Sequence, residues 1–286
     1  MNTKLLILDT EVKHMENEFN KQPLTTLAAT LANIIETEPP KQASTTGVKE
    51  IEELVATKST TGKVDRMLIY NPDAIGQWFY NKYKDMFKEV EANSDIAVPY
   101  ITAFPPKTPV CFATMFSGAA PEVHGITKYE KPVLKIDTLF DSWVRGGKKV
   151  AMVAVANQSI PRIFADRNID YYLLPYDGEV VEKALELIAL NKYDIIEVYN
   201  QEYDDVMHRS HPESKRSFRA IEHYVESYKK LTAATAKHWA AHNTFTAFAT
   251  DHGTHRMLIG LGMHGSNIPK DMNILHFYGV QPAKLK

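Results

Sequence analysis

The chain has 286 residues, of which 44% are hydrophobic and 24% charged, a balance that lets a globular chain bury one sizeable core. Its formal net charge of -2 removes the electrostatic case for a nucleic-acid or anionic-membrane partner, because phosphate-rich surfaces are bound by surplus Lys and Arg. A single cysteine, Cys111, excludes an intramolecular disulfide framework, and the opening MNTKLLILDTEVKHMENEF holds too short an apolar run for a signal peptide or a membrane span, so the expected setting is cytoplasmic.

In chain order, PLTTLAATLANIIE and VKEIEELVATK predict two helices, separated by the Pro-, Ser- and Thr-rich stretch ETEPPKQASTTGVKE. Residues 1–62 therefore read as an N-terminal extension packing on a core formed by residues 63–286. From Arg66 onward, apolar runs of strand length (RMLIYN, KVAMVAVAN, YYLLPY, DIIEVYN, TFTAFAT) alternate with amphipathic runs such as EVVEKALELIALN and a long helix from about Glu213. That alternation predicts an α/β fold, a three-layer α/β/α sandwich with a mainly parallel central sheet.

In such sheets the chemistry gathers beyond the carboxyl ends of the strands. Asp73 follows the first strand, QEYDDVMHRSH with Asp204, His208 and His211 follows the fourth, and Asp251-His252 follows the fifth. His264 lies in a glycine-flanked loop soon after. Carboxylates and imidazoles suit borderline divalent cations, and this many convergent groups exceed the needs of one tetrahedral ion, so two metals are expected. Asp204 and His208 are spaced to share one helical face. Gly253 is expected to let the chain turn behind Asp251 and His252. Asp9, in LLILDTEV, is a rival strand-end acid to Asp73.

PPKTPVCFATMFSGAAPEVHGI supplies a candidate reacting group. Thr108 opens a small-residue run with Pro109 in its first turn, and a hydroxyl at a helix N-terminus sits where an anion is also favoured. Beside two cations it is a credible nucleophile. Cys111, one turn on, has no base beside it in sequence and reads as pocket lining.

Taken in order, PDAIG, KTPVCFATMFSGAAPEVHGI, EYDDVMH, TDHG and GMHG resemble the signatures of the alkaline phosphatase superfamily, most closely its type I phosphodiesterase and nucleotide pyrophosphatase branch. The resemblance spans residues 66 to about 280. It implies an alkaline-phosphatase-like core and two divalent ions, usually zinc, with manganese or magnesium in some branches. One ion would be held by Asp204, His208 and His264 and the other by Asp73, Asp251 and His252, with Thr108 bridging them. It also implies a phosphoester hydrolase working through a phosphothreonine, acting on a small-molecule phosphodiester, nucleotide or phosphonate.

This chain departs from the branch at Cys111, where nucleotide-type relatives usually carry an asparagine that hydrogen-bonds a phosphoryl oxygen; a thiol is a weak donor. The stretch from His208 to Asp251 is nearly all one helical pattern and leaves no room for a cap domain, so substrate contacts are expected from loops. Lys107, Cys111, His211 and His255 are the substrate-side candidates, with Tyr203, Arg209 and Arg256 also adjacent to the motifs. No arginine can be assigned as a phosphate clamp, which favours a diester or phosphonate over a simple monoester. Phosphomonoesterase or sulfatase chemistry on the same metals, or a binding protein that keeps the fold without turnover, are the alternatives, and a homo-oligomer is compatible with the composition.

Overall fold

The computed structural model describes residues 6–7, 18–43, 46–258 and 260–284. Its strands are β1 (Leu6–Ile7), β2 (Gln22–Pro23), β3 (Arg66–Pro72), β4 (Ile96–Ile101), β5 (Val150–Val155), β6 (Asp170–Leu174), β7 (Ile195–Asn200), β8 (Thr244–Phe248), the short pair β9 (His255–Arg256) and β10 (Gly262–Met263), and β11 (Asn273–Gln281). All but β9 and β10 join one nine-stranded sheet in the order β1, β4, β11, β8, β3, β7, β5, β6, with β2 also paired to β4. Only β11 runs antiparallel to its neighbours, β4 and β8; the remaining pairs of this sheet are parallel.

Both faces of the sheet are covered, because successive strand residues point to opposite sides and both sets are apolar. Met67 and Ile69 of β3 and Met152 of β5 pack with the helices Thr26–Ile34, Lys49–Lys58, Thr108–Ser117 and Leu139–Arg145. The alternate residues Leu68, Tyr70 and Val153 pack with Gln77–Lys82, Asp177–Leu190 and Lys215–His238. The result is the expected three-layer α/β/α arrangement. Within it the chain's early segments contribute directly: β1 and β2 extend the sheet beyond β4, and Leu27, Leu31, Ile51 and Val55 are buried in the same cluster as the helix that begins at Thr108.

For function the decisive feature is the middle of the sheet. β8, β3 and β7 are adjacent and parallel, so their carboxyl ends open onto a single edge.

Candidate metal centre

Asp73 follows β3 directly, and its backbone N–H donates to Asn200 O at the end of β7 (2.9 Å). Asp251 lies just past β8 and is fixed from several sides. Its Oδ1 accepts from Ala74 N (3.0 Å), its backbone oxygen accepts from Thr102 Oγ1 (2.6 Å), and the preceding Thr250 accepts from Ile75 N at Oγ1 (2.9 Å) and from His276 Nε2 at its carbonyl (2.6 Å). Asp204 and His208 lie one turn apart on the helix Glu202–His208 that follows β7. His264 arrives on the loop after β10.

These residues gather into two groups. Ligand atoms of Asp204, His208 and His264 all lie within 4.8 Å of one another, as do those of Asp73, Asp251 and His252. In the first group, Asp204 Oδ1 is 3.4 Å from His208 Nε2 and 3.5 Å from His264 Nε2, and the two Nε2 atoms are 3.1 Å apart. In the second, His252 Nε2 lies 3.2 Å from Asp251 Oδ2 and 3.6 Å from Asp73 Oδ1. Two bonds of about 2.05 Å meeting at a tetrahedral angle span about 3.3 Å, so these edges match the spacing of ligands around a shared ion.

The donor chemistry fits as well. The Nδ1 atoms of His208, His252 and His264 lie 3.3, 3.1 and 2.8 Å from the backbone oxygens of Gly262, Gly253 and Pro106. Only a protonated Nδ1 can donate to a carbonyl, which fixes each tautomer with the Nε2 lone pair turned inward. Asp73 Oδ1, Asp204 Oδ1 and Asp251 Oδ2 are buried and accept no hydrogen bond. Inward lone pairs and unpartnered buried carboxylate oxygens repel one another, a conflict that bound cations would relieve.

The electrostatics follow from that crowding. Burial, then Asp251 and Asp204 nearby, push Asp73 well above the usual carboxylate range, and burial raises Asp251 to about 7. Burial pulls Asp204 upward too, but His208, His264 and His252 outweigh it and hold it below its ordinary value. Burial lowers His252 to about 4 and, with His252 beside it, His264 to about 3, so both rings are neutral and available as ligands near pH 7.

Thr108 opens the helix Thr108–Ser117 and is buried, with Oγ1 3.3 Å from His252 Nε2. Lys107 is engaged: its Nζ donates to His264 O (2.9 Å), and its stem lies where a Cβ on Gly265, at φ +111°, would stand 2.5 Å away. His255 Nδ1 pairs with Asp271 Oδ1 at 2.8 Å, and Asp271 also accepts from Ser266 N, so this pair ties down the loop after His264. His211 is half-buried, and its Nδ1 has no partner. Arg209 and Arg256 are exposed.

Cys111, read as pocket lining, is buried one turn along the helix from Thr108, where its thiol lies 3.7 Å from Ala103 O and burial, then Asp251 nearby, push it well above its usual range. Two expectations need correction, and one falls outside the structure. Tyr203 is also buried, under the helix Lys215–His238, with its N–H on Tyr224 OH. Gly253 is needed for close approach rather than for a turn, since a Cβ there would stand 2.0 Å from Lys270 O. Asp9 lies outside the described residues.

The structure adds Tyr199, Thr102 and His276, which sequence reasoning missed. Tyr199 OH donates to Asp73 Oδ2, the second oxygen of the same carboxylate that faces His252, and Phe112 packs edge-on against its ring at 5.5 Å. A tyrosine one residue before the end of a central strand was the available signal, but only the fold shows which acid it meets.

No family model matches the chain, and no curated protein does. Among solved structures, it is similar to murine ectonucleotide pyrophosphatase/phosphodiesterase 5, both as an inactive variant in complex with AMP (20% identity, TM-score 0.52) and in a second structure (21% identity, TM-score 0.52). Each match covers 67% of this chain and 58% of the murine one, so the chain spans well under two thirds of that relative. Phosphonoacetate hydrolase from Sinorhizobium meliloti 1021, in complex with phosphonoformate, matches at 14% identity and a TM-score of 0.49, over 66% of this chain and 56% of the other.

Proposed function

Starting from the alkaline-phosphatase-superfamily fold that the chain shares with the murine structures, we propose that it is a two-metal hydrolase of small-molecule phosphoesters with Thr108 as nucleophile. The observation that carries this reading is the pair of three-residue groups at one sheet edge, with one unpartnered buried carboxylate oxygen in the first and two in the second, beside a hydroxyl at a helix N-terminus.

Asp204, His208 and His264 would hold one divalent ion, and Asp73, Asp251 and His252 the other; zinc is the proposed ion because the ligands mix imidazole and carboxylate. When bound, such ions neutralise charge on phosphoryl oxygens and lower the pKa of a neighbouring hydroxyl. The remaining work belongs to the chain. The helix at Thr108 points its first free N–H groups at the anion, as helix N-termini do, and burial keeps bulk water from competing with the Thr108 oxygen. Thr108 Oγ1 forms a bond to phosphorus as the bond to the leaving alcohol breaks. Water then cleaves the phosphothreonine, restoring the hydroxyl and releasing the phosphoryl product.

A diester or phosphonate is favoured over a monoester. A monoester dianion gains most from an arginine fork, and Arg209 and Arg256 both stand exposed to solvent. Among the described residues no helix is long and apolar enough to cross a membrane; the cytoplasmic setting is proposed from the single cysteine alone.

The test is turnover of p-nitrophenyl phosphate, bis-p-nitrophenyl phosphate, p-nitrophenyl phenylphosphonate and p-nitrophenyl sulfate by protein reconstituted with zinc or manganese, beside Thr108→Ala. Metal-dependent cleavage of a diester or phosphonate that Thr108→Ala lowers at least about a thousandfold supports the reading. Equal turnover in the variant rejects Thr108, and cleavage of the sulfate alone rejects phosphoester chemistry.

A further inference from the structure

The central sheet ends at β6, which pairs with β5 alone among the described residues. Leu174 O accepts from Ala156 N, just past β5, at 2.8 Å. In a parallel ladder the N–H and C=O of one residue point to the same side and those of the next to the other, so Asp170, Tyr172 and Leu174 turn theirs toward β5. Tyr171 and Leu173 present theirs outward, where no described residue meets them. Such edges are usually blunted by proline, a bulge or free charge. β6 has none of these: its register with β5 runs unbroken, and its one charge, Asp170, is taken up by Tyr193 OH and Lys192. Leu173 is 45% exposed and Tyr176, just past the strand, 72%.

The open groups complement themselves in one register. A second copy, antiparallel about a twofold axis through Tyr172, sets Tyr171 of each copy opposite Leu173 of the other, each pair exchanging both N–H···O bonds. The next pair out is Ile169 with Pro175. Ile169 N already donates to Arg167 O (2.9 Å) and proline has no N–H, so the ladder stops there with no donor orphaned. An axis through Leu173 would set Tyr171 against Pro175, and one through Tyr171 would set Leu173 against Ile169; either leaves a carbonyl facing no donor.

Charge favours the same arrangement. At the amino end of β6, Lys148 and Lys149 line a cavity of about 300 Å3 beside Asp170, and neither is in an ion pair among the described residues. At the carboxyl end, Glu179 stands exposed and unpaired in the first turn of the helix Asp177–Leu190. Antiparallel pairing brings the lysine end of one copy to the glutamate end of the other. We propose that the chain forms a twofold dimer through β6, which continues the sheet across two copies. β5 lies between β6 and β7, so this interface is separate from the candidate metal centre.

Sedimentation equilibrium of the full chain at up to about 100 μM tests this. The proposal predicts a mass twice that of the chain. Leu173→Pro removes an outward N–H that the folded copy does not use, so it should be monomeric with the parent's far-ultraviolet circular dichroism. Lys149→Glu and Glu179→Lys should each raise the dimer dissociation constant about tenfold, and their equimolar mixture should regain the parent's affinity, because opposite charges then meet at both ends. If Leu173→Pro misfolds, the charge variants carry the test alone. A monomeric parent, a dimer that survives in folded Leu173→Pro, or a mixture no tighter than either charge variant overturns the proposal.

Discussion

The imidazole rings of His252 and His264 stack with centroids 3.9 Å apart and planes 20° from parallel, although each belongs to a different ligand group. The two groups therefore share a wall. His252 arrives from the end of β8 and His264 from the loop after β10, and each ring is held from behind by a backbone oxygen, of Gly253 and Pro106 respectively. Moving either ring therefore disturbs both groups.

Tyr199→Phe tests how far that arrangement depends on outer partners. Removing the hydroxyl leaves Asp73 Oδ2 without its donor while the ring still packs on Phe112. The expected result is a stable protein whose affinity for metal at the Asp73 group falls about 10- to 100-fold, read by competition with a chromogenic chelator. Unchanged affinity would show that Tyr199 only fills space.

Gly253→Ala addresses the backbone behind the site. The added methyl would stand 2.0 Å from Lys270 O and 2.8 Å from Gly76 Cα, both main-chain atoms with little room to move. Overpacking of this kind costs about 1–3 kcal/mol, and denaturant unfolding should show a loss in that range. A variant as stable as the parent would mean that the segment Ile268–Asn273 shifts freely.

His276 gives a pH dependence whose sign can be worked out. Its Nε2 lies 2.6 Å from Thr250 O, and burial lowers its pKa from 6.5 to about 4. Between those values the unfolded chain takes up a proton that the folded one refuses, so stability falls as pH falls and this contribution vanishes above 6.5. Linkage puts the loss between pH 7 and pH 5 at ~2 kcal/mol. Urea unfolding at the two pH values should show that His276→Gln is less acid-sensitive than the parent by about that amount; equal sensitivity would contradict the account.

Much of this was legible in the sequence, for identifiable reasons. β3, β7 and β8 are buried on both faces, so they read as continuous apolar runs, and the acids at their ends stood out as abrupt changes of polarity. β4 and β11 did not stand out. Pro99 interrupts IAVPYI, and NILHFYGVQ mixes His276 and Gly279 into its apolar residues, so neither shows the plain pattern, and β11 owes its place to pairing with strands far away in the chain. The same limit applies to Tyr199 and Thr102. Their hydroxyls matter because of the acids they meet, at Asp73 and Asp251, and those meetings exist only once the sheet is assembled. For Cys111, helical spacing gives the distance from Thr108, while only packing shows that its thiol meets Ala103 O.

The most direct measurement is the metal content of the purified chain after zinc reconstitution and exhaustive dialysis, for the parent, Thr108→Ala and His264→Ala. Two ions per chain in the parent, two in Thr108→Ala and a single ion in His264→Ala are the predicted results, because Thr108 attacks without being needed to hold the ions, whereas His264 completes one of the two groups. One ion or none in the parent would contradict the two-metal centre, whatever esters the protein cleaves.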